Sequence, residues 1–445
     1  MFLRIILAAT LLCLLGCSDF IHPVKSTPEP ESEYAFNYWL LQKVFLYEER
    51  LADLPKDGDS DSIQQQLYSF LKDPYTSYTP PAKSEERSTI INTSKIIGGD
   101  VGMRYTVDLT LEHPIKIARV YPISPAGQAG VPRDGNILKV NDIDLTGEKA
   151  KATYDSVLSY TKNIDIVVAY KGDTTLFKLE KETVYAPTVF VDTLYEDSAK
   201  GYPGIIFVSI EGFKDSTANR KLGTFGELKS YLDSTTSDKR VRVLDLRNNP
   251  GGLVMQSLKM ADLFVSKGTM STMRQRAIND NGESIYVQSH TDAKAGDIGE
   301  SGKFIILTNG GTASAAEIFT AAVTETTDIP HAGVKTYGKG VGQTTYFTYA
   351  GGMATITNFE FLTPKGNSYH KKGIQPKFDC SGTITENCVA QVAYELYGVK
   401  SPAQDASLAK RALGVKEYSG SKSDEGAVIW ADTDFYLKAF EKSIH

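Results

Sequence analysis

After the first fifteen residues the chain has no long apolar run, no extended stretch of Lys or Arg, and very few cysteines, four in 445 residues. The first absence argues against a multi-span membrane protein. The second, with a formal net charge of only −6, gives no reason to expect nucleic acid as a partner. No G-x-S-x-G elbow occurs, which argues against an α/β-hydrolase, and the six histidines stand in no catalytic motif. What is present is ordinary globular composition, 41% hydrophobic and 23% charged, in a chain long enough for two or three domains.

The beginning of the chain carries an address. Arg4 precedes an apolar run over residues 5–15 that ends in Leu14-Leu15-Gly16-Cys17. The run has signal-peptide length and is too short to span a bilayer comfortably. Leu-Leu-Gly-Cys resembles a bacterial lipobox, in which the cysteine (here Cys17) is acylated after cleavage at residue 16; an ordinary cleaved signal with a chance cysteine is the alternative. Residues 17–33, with Pro23, Pro28 and Pro30, then read as a polar tether. By analogy this implies an exported lipoprotein facing the periplasm, anchored to the outer membrane. Beyond Cys13 and Cys17 only Cys380 and Cys388 remain, eight positions apart. In an oxidising compartment they are a disulfide candidate, and a zinc site has no further ligands nearby.

Residues 34–95 read as a helical segment, with Tyr34, Tyr38, Leu41 and Phe45 at spacings of three and four and a stop at Asp73-Pro74-Tyr75-Thr76. Residues 96–183 change to short β-rich runs, among them the alternating Ile115-Lys116-Ile117-Ala118-Arg119-Val120. Residues 184–400 then read as α/β. The apolar runs 241–246 and 304–307 each pass through a polar loop into a helix with an apolar face. Two such crossover units on one sheet bring the loop Asn248-Asn249-Pro250-Gly251-Gly252 and Ser314 to the same carboxyl edge. Residues 401–445 suggest no function.

Ser314-Ala315-Ala316-Glu317 fits a capping box, and a structural cap is the plain reading. A serine at a helix N-terminus is also what acyl transfer needs, because the free N–H groups and the helix dipole favour a developing oxyanion. Its hydroxyl requires a base. With no histidine in a motif, the candidate is Lys339, in Tyr337-Gly338-Lys339-Gly340-Val341-Gly342-Gln343. The flanking glycines permit close backbone approach, burial would lower the amine pKa, and Gln343 could orient it. A solvated turn lysine is the competing reading. A phosphate-binding loop fails because Gly340 stands where Ser or Thr would hold magnesium.

The ordered set Asp73-Pro74-Tyr75-Thr76, residues 245–252, Thr312-Ala313-Ser314-Ala315-Ala316-Glu317, residues 337–343, Thr363-Pro364-Lys365-Gly366 and Gly373-Ile374-Gln375-Pro376 resembles the C-terminal processing peptidases of family S41. Within residues 96–183, Ser124-Pro125-Ala126-Gly127-Gln128-Ala129-Gly130 and Asp134-Gly135-Asn136-Ile137 resemble the core of a bacterial protease PDZ domain, with Asn136 in place of the usual Asp. The resemblance implies a mixed α/β fold: a crotonase/ClpP-like catalytic core with an N-terminal helical segment and an inserted PDZ-like domain. It implies a serine endopeptidase with Ser314 as nucleophile, Lys339 as general base and Gln343 holding the lysine. Oxyanion donors would be the Ala315 amide and one from the turn at Gly251 and Gly252. Neither cofactor nor metal is implied. The expected partners are protein or peptide substrates with accessible C-termini and, through the lipid anchor, a membrane. Two rivals stand beside this reading, a catalytically silent PDZ scaffold that binds C-terminal peptides and a crotonase-type acyl-CoA enzyme.

Overall fold

The two crossover units expected from the apolar runs form the centre of the molecule. The computed structural model describes residues 30–54, 67–404 and 428–444. Strands Tyr202–Ile210, Arg242–Asp245, Phe304–Thr308, His331–Gly333 and Phe378–Asp379 lie side by side and parallel, and Val189–Asp197 closes one edge antiparallel. Successive side chains on a strand point to opposite faces. Ile206, Val208, Leu244 and Ile306 therefore pack on one side, with helices Val254–Asp262 and Ala315–Thr326. Ile205, Phe207, Val243, Ile305 and Leu307 pack on the other, against helix Thr385–Tyr397.

A second, largely antiparallel sheet runs Ser284–Asp292, Thr269–Ile278, Met353–Leu362, Val341–Phe347, Val428–Trp430. The N-terminal segment differs from the purely helical expectation. Helix Pro30–Val44 is there, but Ser77–Thr79 is a strand paired with Met353–Leu362: Pro74 stands in a turn in which the Thr76 N–H donates to the Asp73 carbonyl at 3.4 Å, and the chain leaves that turn extended. The final residues, without a role in the sequence, are part of the same unit. Val428–Trp430 forms the sheet edge, and helix Thr433–Ile444 packs on the first helix through Phe440 and Phe36, ring centroids 5.4 Å apart. Glu33 fastens the first helix to this layer by accepting hydrogen bonds from Tyr78 Oη, Thr348 Oγ1 and the Ala350 N–H.

A third sheet, Met103–Val107, Ile115–Val120, Asn136–Val140, Asn163–Tyr170, Asp173–Glu180, has its own core of Ile115, Ile117, Ile137, Ile164, Ile166 and Tyr154. An antiparallel bridge between Asp100 and Glu182 closes the neck where the chain leaves and re-enters the central domain. Buried Arg104 pairs with Glu211 of the central domain, and Arg119 with Asp192 at 2.6 Å.

Candidate active site

Ser314 follows the carboxyl end of strand Phe304–Thr308. Its loop is tied to the neighbouring 246–252 loop by Thr312 Oγ1, which donates to the Leu246 carbonyl at 2.8 Å, and by the Ala313 N–H, which donates to the Asn249 carbonyl at 2.9 Å. The serine is fully buried, with φ +60° and ψ −119°. A non-glycine residue held there costs about 1–3 kcal/mol, a strain that clusters at functional sites.

Glu317, one turn into the helix, does more than cap it. Its Oε2 accepts the N–H of Ser314 at 2.9 Å and the N–H of Lys339 at 2.7 Å; its Oε1 accepts Thr336 Oγ1 at 2.5 Å and the N–H of Gly338 at 2.7 Å. Burial pushes its pKa up, and these four donors push it down. The carboxylate thus joins the serine's helix to the lysine's loop. The capping-box pattern at residues 314–317 signalled only the first of these contacts.

The solvated-turn reading of Lys339 fails: the residue is 6% exposed. Burial lowers its amine to about 8 from an ordinary 10.5, against the carboxylates of Asp73 and Glu317, which raise it. The Nζ donates to Gln343 Oε1 at 3.0 Å. Gln343 Nε2 in turn donates to Thr357 Oγ1 at 3.0 Å, and the Thr357 N–H donates to Thr76 Oγ1 at 2.9 Å. Thr76 Oγ1 donates to Asp73 Oδ2 at 2.5 Å. The Tyr75 ring lies 4.0 Å from Lys339 Nζ, a cation–π contact. Burial and a hydrogen bond to Tyr337 hold the Tyr75 hydroxyl well above its ordinary pKa. Asp73, Tyr75 and Thr76 therefore wall the lysine, a role that their sequence as a helix stop did not suggest.

Gly251 and Gly252, at φ +109° and +132°, form the facing turn. A β-carbon on Gly251 would lie 3.0 Å from the Ser314 β-carbon and 3.0 Å from the Ala315 nitrogen, so only glycine lets the turn approach this closely. The expectation for Gly251 as a donor needs correction. Its N–H is already taken by Asn249 Oδ1 at 2.9 Å, because the asparagine folds over its own turn. Among the described residues the N–H groups of Gly252 and Ala315 have no such acceptor, and they are the donors left to face a ligand.

Cys380 and Cys388 form a disulfide. Three of the histidines are held in contacts of their own: His331 is buried against Thr308 and held to about 4 by desolvation, while His113 and His290 bond to the Leu145 carbonyl and Thr272. His370 packs against Gly340 beside the lysine, and burial lowers its pKa. Cys17, residues 1–16 and most of the tether lie outside the described residues.

Residues 204–380 match the family model for "Peptidase family S41". The chain is 28% identical over 348 residues to a Staphylococcus epidermidis protein (strain ATCC 12228) named as a CtpA-like serine protease, covering 77% of this chain and 65% of that one. It is 31% identical over 323 residues to a Staphylococcus haemolyticus protein (strain JCSC1435) of the same name, covering 71% and 59%. The chain thus spans less than two thirds of the length of these relatives. A solved structure described as an S41 protease from Bacteroides fragilis NCTC 9343 superposes with a TM-score of 0.53 at 15% identity, over 82% of this chain and 98% of that one, and shares the fold. The α/β core of this chain, residues 204–380, belongs to peptidase family S41.

Proposed function

We propose that this protein is a serine endopeptidase that hydrolyses peptide bonds through an acyl-enzyme, with Ser314 as nucleophile and Lys339 as general base. The observation that carries the reading is the buried lysine amine, lowered to about 8 and held by Gln343. A lysine accepts a proton only when neutral, and with that pKa about a tenth of the enzyme is competent at pH 7 and about half at pH 8. Neutral Lys339 takes the Ser314 hydroxyl proton as the oxygen bonds to the substrate carbonyl carbon. The electron pair displaced onto the carbonyl oxygen is held by the N–H groups of Gly252 and Ala315. Collapse breaks the C–N bond, and the Lys339 ammonium returns the proton to the leaving amine. Water then gives a proton to Lys339, attacks the ester, and releases Ser314 with its hydroxyl restored.

In the same reading, residues 96–183 are a PDZ-like domain that takes substrate C-termini as an added strand. In its support, Met103–Val107 is an edge strand, and its Tyr105 ring lies 5.1 Å from Tyr154 of helix Ala150–Tyr160. The substrates would be exported proteins, met by an enzyme anchored through acylated Cys17 on the periplasmic side of the outer membrane.

The test is digestion of an unfolded protein by purified enzyme, with products read by mass spectrometry. Ser314→Ala and Lys339→Ala are each expected to lower turnover about a thousandfold or more while remaining folded. Wild-type turnover in either variant overturns the assignment.

A further inference from the structure

The C-terminal strand Val428–Trp430 lies between the two halves of the candidate site. On one side the Val428 N–H donates to the Gly252 carbonyl at 3.2 Å, and Val428 forms a parallel bridge with Leu253. On the other side Val428 is the register partner of Gln343, which holds the Lys339 amine. Val428 is buried, in a small cluster with Ile91, Leu253 and Met353. The strand is itself anchored: Trp430 Nε1 donates to Asn92 Oδ1 at 2.8 Å, and its indole stacks on Phe347 at 5.6 Å.

We propose that Val428 is a positioning residue for the oxyanion donor Gly252 and for the Gln343 strand. The inference rests on the peptidase reading and extends it. Gly252 belongs to two peptide planes. The first contains its N–H and the Gly251 carbonyl, which accepts the Phe213 N–H at 3.0 Å. The second contains the Gly252 carbonyl, held by Val428. A glycine at φ +132° has no side chain to restrict rotation, so the donor direction depends on hydrogen bonds at both neighbouring planes. Phe213 holds the first plane, and the second is held twice, by the Phe213 carbonyl accepting the Leu253 N–H at 2.9 Å and by the C-terminal strand at the Gly252 carbonyl. An oxyanion donor acts only when it is aimed before the charge develops. The strand therefore bears on turnover rather than on substrate capture.

The experiment removes the Val428 N–H from the full chain and measures kcat, KM and amide exchange of residues 246–256. Two replacements serve: Val428→Pro, and the α-hydroxy acid with the valine side chain, which deletes the N–H alone if proline disturbs the fold. The expected result is a kcat at least tenfold lower with KM within twofold, and faster exchange at the turn. Val428→Ala, which keeps the N–H, is expected to retain at least five times the kcat of the N–H-deleted enzymes. Unchanged kcat, a loss confined to KM, or an equal loss in Val428→Ala overturns the proposal. Should the wild-type chain cleave nothing, the peptidase reading has failed; turn exchange that is the same with and without the N–H would sink the positioning role separately.

Discussion

Ser314 and Lys339 donate their backbone N–H groups to one and the same oxygen, Oε2 of Glu317, at 2.9 and 2.7 Å. The serine's helix and the lysine's loop are set against each other by a buried carboxylate that belongs to neither side of the proposed proton transfer. The relative position of the two residues is thus fixed through the backbone, leaving both side chains free of that task.

Glu317→Gln keeps the shape and replaces an acceptor with an amide that must turn an N–H towards at least one existing donor. Unpaired buried groups of this kind cost about 1–3 kcal/mol each. The variant is expected to unfold at lower denaturant, with stability reduced by about 3 kcal/mol, and to lose kcat about a hundredfold as the base drifts from the nucleophile. Denaturant titration and steady-state kinetics check both. Full activity in Glu317→Gln would show that the shared acceptor is incidental.

The pH dependence follows from the base. Lys339 is competent when neutral, so kcat/KM should rise about tenfold per pH unit below about 8 and level off above it. A profile flat between about pH 6.5 and 9 would remove Lys339 as the group that titrates.

Stability should run in the same direction. The folded amine titrates near 8 and the unfolded one near 10.5, so between those values the unfolded chain binds more protons and the fold gains stability as pH rises. Below pH 8 the fold carries the whole penalty, about 3 kcal/mol. Lys339→Met removes it and loses the hydrogen bond to Gln343, worth about 1 kcal/mol. We expect Lys339→Met to be inactive and about 2 kcal/mol more stable at pH 7, with the difference fading by about pH 10.5. Thermal unfolding across that range measures it, and a variant less stable than wild type at pH 7 contradicts it.

The Cys380–Cys388 bridge ties the end of strand Phe378–Asp379 to the first turn of helix Thr385–Tyr397, on the face of the central sheet opposite the Ser314 helix. Closing the short loop between them restricts the unfolded chain by about 2–3 kcal/mol. Reduction, or paired replacement by serine, should lower the unfolding midpoint accordingly and leave kcat and its pH profile in place. A reduced enzyme with altered kcat would tie the bridge to the site.

The sequence displayed Ser314 because an apolar run passes through a polar loop into its helix, and Lys339 and Gln343 because they share a short glycine-rich motif that the family resemblance includes. Glu317 was visible as half of a capping box, a local signal that said nothing of Thr336, Gly338 or Lys339. Tyr75 and Thr76 were visible as a helix stop and as part of the family resemblance, without a role, and Thr357 left no mark, since they reach the lysine only when Ser77–Thr79 pairs with Met353–Leu362. The tail was silent for the same reason: Val428 meets Gly252 and Gln343 through pairing across the whole length of the chain.

By itself the sequence determined the parallel core, the crossover helices and the residue types at the loop edge, because periodicity and glycine placement act over a few residues at a time. Only the tertiary structure decided which of Gly251 and Gly252 keeps a spare N–H, that the Lys339 amine is buried beneath Tyr75, and what holds Ser314 to Lys339. Desolvation and hydrogen-bond direction depend on groups far apart in the chain, and those quantities exist only once the layers are packed.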